Sequence, residues 1–126
     1  MPPVRVVIAS PVDELPRLPL SVPATVHQDL TTVHAVPDIR AILPRLRAQL
    51  AIVNLELVSF PELAELCKEF PATAFVGLHR LADDAIWMQS LTAGAVDCCV
   101  TADLPCILEN ASRYVAIKAA ERSAAA

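Results

Sequence analysis

The sequence predicts an α/β fold in which a five-stranded parallel sheet lies between two layers of helices. Short apolar runs rich in β-branched residues alternate with segments whose apolar residues recur every three or four positions. Strands that alternate with amphipathic helices favour right-handed crossovers and a parallel sheet covered on both faces. The chain has 126 residues, 55% of them apolar, which is enough for one domain with a core of this kind.

The N-terminal part predicts two strands separated by a proline-rich segment. Residues 4–9 form an apolar, β-branched run that Ser10 and Pro11 close, as expected of a mostly buried strand. Four prolines between residues 11 and 24 make the first helix irregular, with about two regular turns near residues 23–30. The second strand, residues 31–35, has the exposed character of a sheet edge.

The middle of the chain predicts two helices and the third strand. Pro44 should kink the first of these helices or mark where its regular part restarts. The third strand covers residues 50–53 and ends at Asn54. Ser59 and Glu62 then form a capping box at the start of the second helix. The apolar stripes are Ile39, Ile42, Leu43 and Leu46 in the first helix, and Leu63, Leu66, Cys67 and Phe70 in the second.

Another strand and helix follow. A strand over residues 73–78 gives way to the polar residues His79 and Arg80. The next helix should start at Asp83, where the helix dipole favours negative charge, and end at Gly94 in a left-handed cap.

The last strand and helix complete the predicted domain. The strand covers residues 97–100, and Asp103 should cap the helix that follows. We expect one domain over residues 1–122 and a featureless tail over residues 123–126. The final helix has an apolar stripe of Leu104, Ile107, Leu108, Ala111 and Val115.

Composition argues against several classes of protein. Ten Lys and Arg against fourteen Asp and Glu give a net charge of -4 without a basic cluster, so we expect no nucleic-acid binding by this domain. No apolar run reaches the ~18 residues of a membrane span, and no signal-peptide pattern opens the chain, so we expect a cytoplasmic protein without membrane contact. Two glycines are too few for a glycine-rich phosphate cradle.

The four cysteines show no spacing typical of metal ligands. Cys98 and Cys99 are neighbours on a predicted strand, where successive side chains point to opposite faces and cannot converge on one ion. We interpret the cysteines as reduced core thiols and expect neither a metal nor a cofactor.

Polar residues stand at the ends of the predicted strands. In an open parallel sheet the functional crevice lies beyond the carboxyl ends of the strands, which makes the residues at these ends candidates for a site. They are Ser10, Asn54, His79 and Thr101.

The segments over residues 51–56 and 93–100 resemble those of bacterial response-regulator receiver domains of the CheY-like type, and the resemblance extends over nearly the whole chain. It is weakest between residues 11 and 30. It implies a three-layer, flavodoxin-like sandwich with strand order 2-1-3-4-5. In that family an acidic pair follows the first strand, a phosphoacceptor aspartate the third, a Thr or Ser the fourth, and a Lys the fifth. The carboxylates hold Mg²⁺, while the hydroxyl and ammonium groups stabilise the phosphoryl oxygens.

The matching positions here carry none of these groups, so the resemblance implies a degenerate phosphoacceptor pocket without catalytic residues. Nearby carboxylates are Asp13, Glu14 and Glu56, which we interpret as solvated loop acids in preference to a relocated metal site. Ser10 and Pro11 stand at the acidic pair, Asn54 at the acceptor, His79 at the hydroxyl, Thr101 at the lysine and Cys98 at a switch aromatic. We interpret His79 as a surface or hydrogen-bonding residue in preference to a proton-sensitive switch.

We therefore expect a phosphorylation-independent pseudo-receiver of a two-component-type transcription regulator, acting by contact with a protein partner or as a homodimer through residues 83–118. An output domain would follow the chain. The alternative is a small-molecule sensor that uses the uncharged pocket. An enzyme is not expected, since no pair of groups for acid-base work is placed together. Candidate surface residues are Trp87, Met88, Leu104, Ile107 and Tyr114.

Overall fold

A parallel sheet with strand order β2-β1-β3-β4-β5 forms the centre of the computed structural model, which describes residues 4–11 and 30–125. All neighbouring strands pair in parallel, so the predicted sheet and its strand order are confirmed. The irregular helix predicted between the first two strands lies outside the described residues. The strands are β1 (Val6–Ala9), β2 (Leu30–Val33), β3 (Leu50–Asn54), β4 (Ala74–His79) and β5 (Asp97–Val100).

Helices cover both faces of the sheet, because alternate side chains of the buried strands point to opposite sides. One core packs α1 and α2 against residues such as Val7 and Val53. The other packs α4 and α5 against residues such as Val6 and Ile52. In the described part of the chain the helices are α1 (Val36–Leu46), α2 (Phe60–Glu69), α3 (Asp84–Ala93), α4 (Leu104–Glu109) and α5 (Ala111–Ala125).

The predicted signals at the helix ends of α2 and α3 are confirmed. The Ser59 Oγ accepts from the Glu62 backbone N–H at 3.3 Å, and Glu62 Oε1 accepts from the Ser59 N–H at 3.1 Å, which completes the capping box. Asp83 Oδ1 accepts from the Ile86 N–H at 2.9 Å at the start of α3. Gly94 ends α3 with φ of 116°, a left-handed conformation that suits glycine.

Two expectations about α1 and β4 need correction. The helix continues through Pro44 to Leu46 without a restart, and it ends at Arg47, whose φ is 51°. A proline this close to the helix end interrupts little of the helix that follows it. His79 is the last residue of β4 rather than the first of a loop.

The final helix also differs from the prediction. A 3-10 turn over Thr101–Asp103 precedes α4, and the predicted single helix is broken at Asn110, between α4 and α5. Asn110 Nδ2 donates to the Cys106 carbonyl at 2.7 Å, so its side chain bonds to the backbone one turn back. Asp103 makes no side-chain capping bond to the described residues. Helix α5 continues to Ala125, so the segment expected to be a featureless tail is helical through that residue.

A forked ion pair joins α1 to α2. The guanidinium of Arg40 contacts Glu65 at 3.2 Å and also binds Glu69, one turn further along α2. The exposed pairs are individually weak, but one planar guanidinium that bridges two carboxylates fixes the spacing of the two helices.

Candidate functional site

The ends of four strands meet at one edge of the sheet. The strand register pairs Ala9 with Val53 and Asn54 with Leu78, and it pairs His79 with Val100 on β5. Ser10 follows β1 and Thr101 follows β5. The structure therefore brings these four predicted polar residues to the same edge, in the order Ser10, Asn54, His79 and Thr101.

Asn54 is buried at the end of β3, and its side chain helps to form the turn that follows. Its Oδ1 accepts from the Glu56 backbone N–H at 2.8 Å. Its carbonyl accepts from the N–H groups of Leu57 and Val58, both at 3.0 Å. An Asn side chain that bonds to the backbone two residues on is typical of a tight turn. The amide thus positions the start of the loop to α2, and it offers no nucleophilic oxygen.

Two hydroxyls at this edge are buried without a hydrogen-bond partner. They are Ser10 Oγ and Thr101 Oγ1, and the statement covers the residues that the structure describes. The backbone of Ser10 is bonded, because its N–H donates to the Val33 carbonyl and its carbonyl lies 3.1 Å from His34 Nδ1. Pro11, which follows, is half-buried. A buried hydroxyl without a partner costs about 1–3 kcal/mol relative to one that is satisfied, so both side chains are suited to bind something further.

An ion pair and a histidine line a cleft of about 590 Å³ between the loops after β3 and β4. Arg80 Nε donates to Glu56 Oε1 at 2.7 Å and joins the loops after β3 and β4. His79 Nδ1 accepts from the Leu81 N–H at 3.0 Å, so in this arrangement Nδ1 carries no proton. Glu56, the described carboxylate next to the acceptor position, is therefore engaged by a guanidinium.

The described residues include no group of three or more His, Cys, Asp or Glu side chains placed to hold a metal ion. Asp13 and Glu14 lie outside these residues. Nor does the part of the chain at 4–11 and 30–125 contain a helix long and apolar enough to cross a bilayer.

Cys106 is exposed, so the interpretation of all four cysteines as core thiols is wrong for this one. The other three, which are buried or partly buried, are poor nucleophiles in this fold. Cys98, at the predicted switch position, contacts Ser90 of α3, and burial raises the pKa of its thiol. Burial likewise raises the pKa of Cys67 to about 11 and that of Cys99 to about 12, with the Asp97 charge adding to the latter. Since the thiolate is the reactive form, these groups are inert near neutral pH.

The candidate surface residues divide into two groups. Trp87 and Met88 on α3 are 43% and 62% exposed. Leu104 and Ile107 are only 2% and 1% exposed, so their prediction as surface residues is wrong: they pack against the sheet in the core of α4 and α5. Tyr114 is half-buried and its hydroxyl is bonded to Asp97.

Sequence reasoning missed Leu81, which is 74% exposed in the loop before α3. It also missed an apolar groove between α2 and α3, with a volume of about 360 Å³. The sequence contained one signal for this surface: the apolar residues of α3 do not recur on one helix face. Some of its large side chains therefore cannot lie in the core. The α2–α3 groove is lined by Phe60, Pro61 and Ala64 from α2 and by Met88, Gln89, Thr92 and Ala93 from α3.

Comparisons with known proteins identify the fold. No protein-family model matches the sequence, and no curated protein matches it. Among solved structures, the chain is similar to the signal receiver domain of a Luxo repressor protein from Vibrio parahaemolyticus, at 14% identity and TM-score 0.71 over 97% of each chain. It is also similar to the receiver domain of the response regulator NarL from Mycobacterium tuberculosis, at 14% identity and TM-score 0.70 over 91% of this chain and 98% of that one.

A third similar structure is a pilus assembly-related protein from Burkholderia pseudomallei, at 17% identity and TM-score 0.68 over 91% of this chain and 90% of that one. At such identities the likeness concerns the fold. The chain therefore has the fold of receiver domains, as the sequence resemblance predicts.

Proposed function

We propose that this chain is a receiver-like signalling module that works without phosphorylation, through contact with a protein partner or a second copy of itself. One observation carries the proposal. At the sheet edge where receivers hold acids, a hydroxyl and a lysine, this chain has Ser10, Asn54, His79 and Thr101.

The chemistry of phosphoryl transfer supports this proposal. Magnesium prefers several carboxylate oxygens, and the described carboxylate beside the site, Glu56, is paired with Arg80 at 2.7 Å. The Asn54 amide cannot accept a phosphoryl group, and no ammonium group stands at Thr101 to stabilise one. The residues at the strand ends, Ser10, Asn54, His79 and Thr101, also include no pair of groups suited to acid-base catalysis, which favours a non-enzymatic module.

Exposed apolar residues support the contact part of the proposal. Leu81 in the loop before α3 and Trp87 and Met88 within α3 are large apolar side chains that solvent reaches. Soluble proteins that expose large apolar side chains together commonly use them for association. In a two-component-type regulator such a surface would pass a signal to an output domain or partner by binding.

Phosphorylation is tested by incubating the chain with acetyl phosphate and Mg²⁺ and measuring its intact mass. We expect no phosphoryl adduct on the wild type. The Asn54→Asp variant should also stay unmodified, because the acidic pair and the lysine are still missing. A receiver that autophosphorylates serves as the positive control, and stoichiometric phosphorylation of the wild type would overturn the proposal.

A second candidate function is small-molecule sensing at the same edge. The buried, unpartnered hydroxyls of Ser10 and Thr101 favour it, since a ligand that bonds to either one would remove the cost of an unsatisfied buried group. A thermal-shift screen with uncharged and weakly anionic metabolites tests it. A sensor requires a ligand that raises the Tm of the wild type and loses this effect in Ser10→Ala.

A further inference from the structure

The strands β3 and β4 end in the same kind of turn. Asn54, the last residue of β3, accepts the Glu56 N–H on its Oδ1 at 2.8 Å. His79, the last residue of β4, accepts the Leu81 N–H on its Nδ1 at 3.0 Å. In both turns a side chain bonds to the backbone two residues on, which fixes the direction in which the chain leaves the sheet. The two turns differ in one respect, because an imidazole titrates near neutral pH and an amide does not.

The bond of His79 exists only while its ring is neutral. A neutral imidazole has one nitrogen that accepts, whereas both nitrogens of an imidazolium donate. Because the Leu81 N–H is itself a donor, a protonated Nδ1 cannot keep this bond. His34 provides the contrast: its Nδ1 lies 3.1 Å from the Ser10 carbonyl oxygen, which only accepts, so this nitrogen carries a proton. A second proton on the ring therefore leaves the bond of His34 intact and breaks that of His79.

The backbone that follows this bond is strained. Ala82 has φ of 33°, a left-handed value that residues with a Cβ rarely adopt. The bond of His79 to Leu81 and the 2.7 Å pair of Arg80 with Glu56 both hold the loop to the sheet edge. The Leu81 side chain is 74% exposed, so its apolar packing adds little. Strain of this kind persists only where surrounding contacts hold it, and here a large part of the hold is polar.

Three elements bring charged groups to the neighbourhood of His79, and none of these groups forms an ion pair with it in the described part of the chain. Glu56 and Arg80 line the same cleft, where they are bonded to each other. The other charged residues at the neighbouring ends are Asp83 and Asp84 at the start of α3 and Asp103 in the turn after β5. Carboxylates favour an imidazolium and the guanidinium opposes it. The bond to Leu81 is the contact through which proton uptake acts on the backbone.

We propose that His79 is a proton-sensitive switch: above about pH 7 its neutral Nδ1 holds Leu81 in the strained turn, and proton uptake below about pH 6 releases the loop over residues 80–82. The sequence favours a hydrogen-bonding role for His79, and in this turn the hydrogen bond is what a proton breaks. Leu81 is one of the exposed apolar residues proposed for contact, so acid would change the surface that a partner meets. The switch itself does not depend on that proposed function, but its use in signalling does.

Nitrogen-15 NMR of the full chain tests the bond and the release. At pH 7.5 the ring spectra should show the proton of neutral His79 on Nε2 and that of neutral His34 on Nδ1, as their bonds require. Between pH 7.5 and pH 5.5 the backbone order parameters of Leu81 and Ala82 should fall from about 0.85, the value of a rigid backbone, to below about 0.6. Glu56, in the matching turn of Asn54, should stay rigid at both pH values.

Two substitutions separate the acceptor of His79 from its titration. His79→Asn supplies an amide oxygen, as Asn54 does in its own turn, so the loop should stay rigid at both pH values. His79→Ala removes the acceptor, so the loop should be mobile at both. His34→Asn is the matched control, because it removes a titrating ring at another strand end and should keep the wild-type response. Circular dichroism verifies that each variant is folded, and His79→Asn decides the question even if His79→Ala is not.

Four outcomes would overturn the switch. They are a neutral His79 with its proton on Nδ1, a wild-type loop equally ordered at pH 7.5 and pH 5.5, a response that persists in His79→Asn, and a response that His34→Asn abolishes. Each leaves signalling without phosphorylation intact, because that function fails only if the mass measurement shows phosphate uptake.

Discussion

The hydroxyl of Tyr114 donates a 2.8 Å hydrogen bond to Oδ2 of Asp97, and this bond fastens α5 to β5. The Cys99 thiol also reaches this carboxylate oxygen, at 3.6 Å. Burial, followed by the bond to Asp97, raises the pKa of Tyr114 above its ordinary value. The last helix is thus attached to the last strand by a partly buried, charge-assisted bond as well as by apolar packing.

Replacing this hydroxyl should loosen α5. We expect Tyr114→Phe to lower the free energy of unfolding by about 1–2 kcal/mol, because a hydrogen bond to a charged group is lost while the ring packing stays. Urea denaturation followed by circular dichroism measures the change. In an Asp97→Asn background the same substitution should cost less, and equal costs in the two backgrounds would show that the bond contributes nothing.

Alkaline pH should destabilise the fold through its thiols. Burial raises the pKa of Cys67 to about 11 and that of Cys99 to about 12, whereas unfolded thiols ionise near ~8.5. Above that pH the unfolded chain has lost protons that the folded chain retains, so stability falls as pH rises towards the folded values. Urea titrations at pH 7.5, 8.5 and 9.5 should give decreasing free energies of unfolding. A Cys67→Ala variant should show a shallower slope, and an unchanged slope would contradict this assignment.

The unpartnered hydroxyl of Ser10 should be dispensable for folding. Ser10→Ala removes a fully buried oxygen without a bond and should leave stability unchanged or raise it by about 1 kcal/mol. Thr73 provides the control, because its buried Oγ1 donates to the Ala48 carbonyl at 2.9 Å. Thr73→Val should therefore lower stability by about 1–2 kcal/mol. A comparable loss in Ser10→Ala would mean that the Ser10 hydroxyl is satisfied in solution.

The two left-handed helix ends should respond in opposite directions to substitution. Gly94→Ala adds a Cβ 2.9 Å from that of Cys67 at a residue whose φ is 116°. It should lower the free energy of unfolding by about 2 kcal/mol or more, because the steric clash adds to a backbone strain of about 1–2 kcal/mol. Arg47 has φ of 51° at the end of α1, and Arg47→Gly should gain up to about 1 kcal/mol. Thermal unfolding compares both with the wild type, and a stabilising Gly94→Ala would contradict the geometry of this cap.

The capping box should make α2 sensitive to acid. The backbone bond from Ser59, followed by the Ser59 hydroxyl, lowers the pKa of Glu62. A carboxyl with a lowered folded pKa stabilises the fold above its unfolded value near ~4.3 and loses this contribution as pH falls through the folded value. Ser59→Ala should therefore cost about 1 kcal/mol at pH 7 and less at pH 3. Because alanine keeps the backbone N–H of residue 59, a cost that does not change with pH would argue against the 2.9 Å bond from the Ser59 hydroxyl to the Glu62 carboxylate.

The sequence predicts those helix ends that depend on bonds between residues close together in the chain or on the residue type at one position. The bonds of Ser59 and Glu62 join residues three apart, and the conformation of Gly94 depends on its own missing side chain. The break at Asn110 was missed because the helical stripe continues across it, while the side-chain bond to Cys106 competes without altering the apolar pattern. A stripe also identifies an apolar face without saying what covers it, which explains the wrong placement of Leu104 and Ile107.

The candidate site was predictable in outline, because parallel strands bring Ser10, Asn54, His79 and Thr101 to one edge whatever their side chains. The details depend on contacts between distant segments. The Arg80 and Glu56 pair joins loops 24 residues apart, and the α2–α3 groove depends on how two helices pack. No local pattern encodes either of them.

The ion pairs of Arg40 affect binding on α2, the helix that Arg40 contacts from α1. Its fork to Glu65 and Glu69 restrains α2, the helix that supplies Phe60, Pro61 and Ala64 to the wall of the α2–α3 groove. The position of this wall is therefore fixed before a ligand binds, and less conformational entropy is lost on binding. Cutting the fork with Arg40→Ala would let that wall shift, so binding there would weaken at a site that Arg40 never touches.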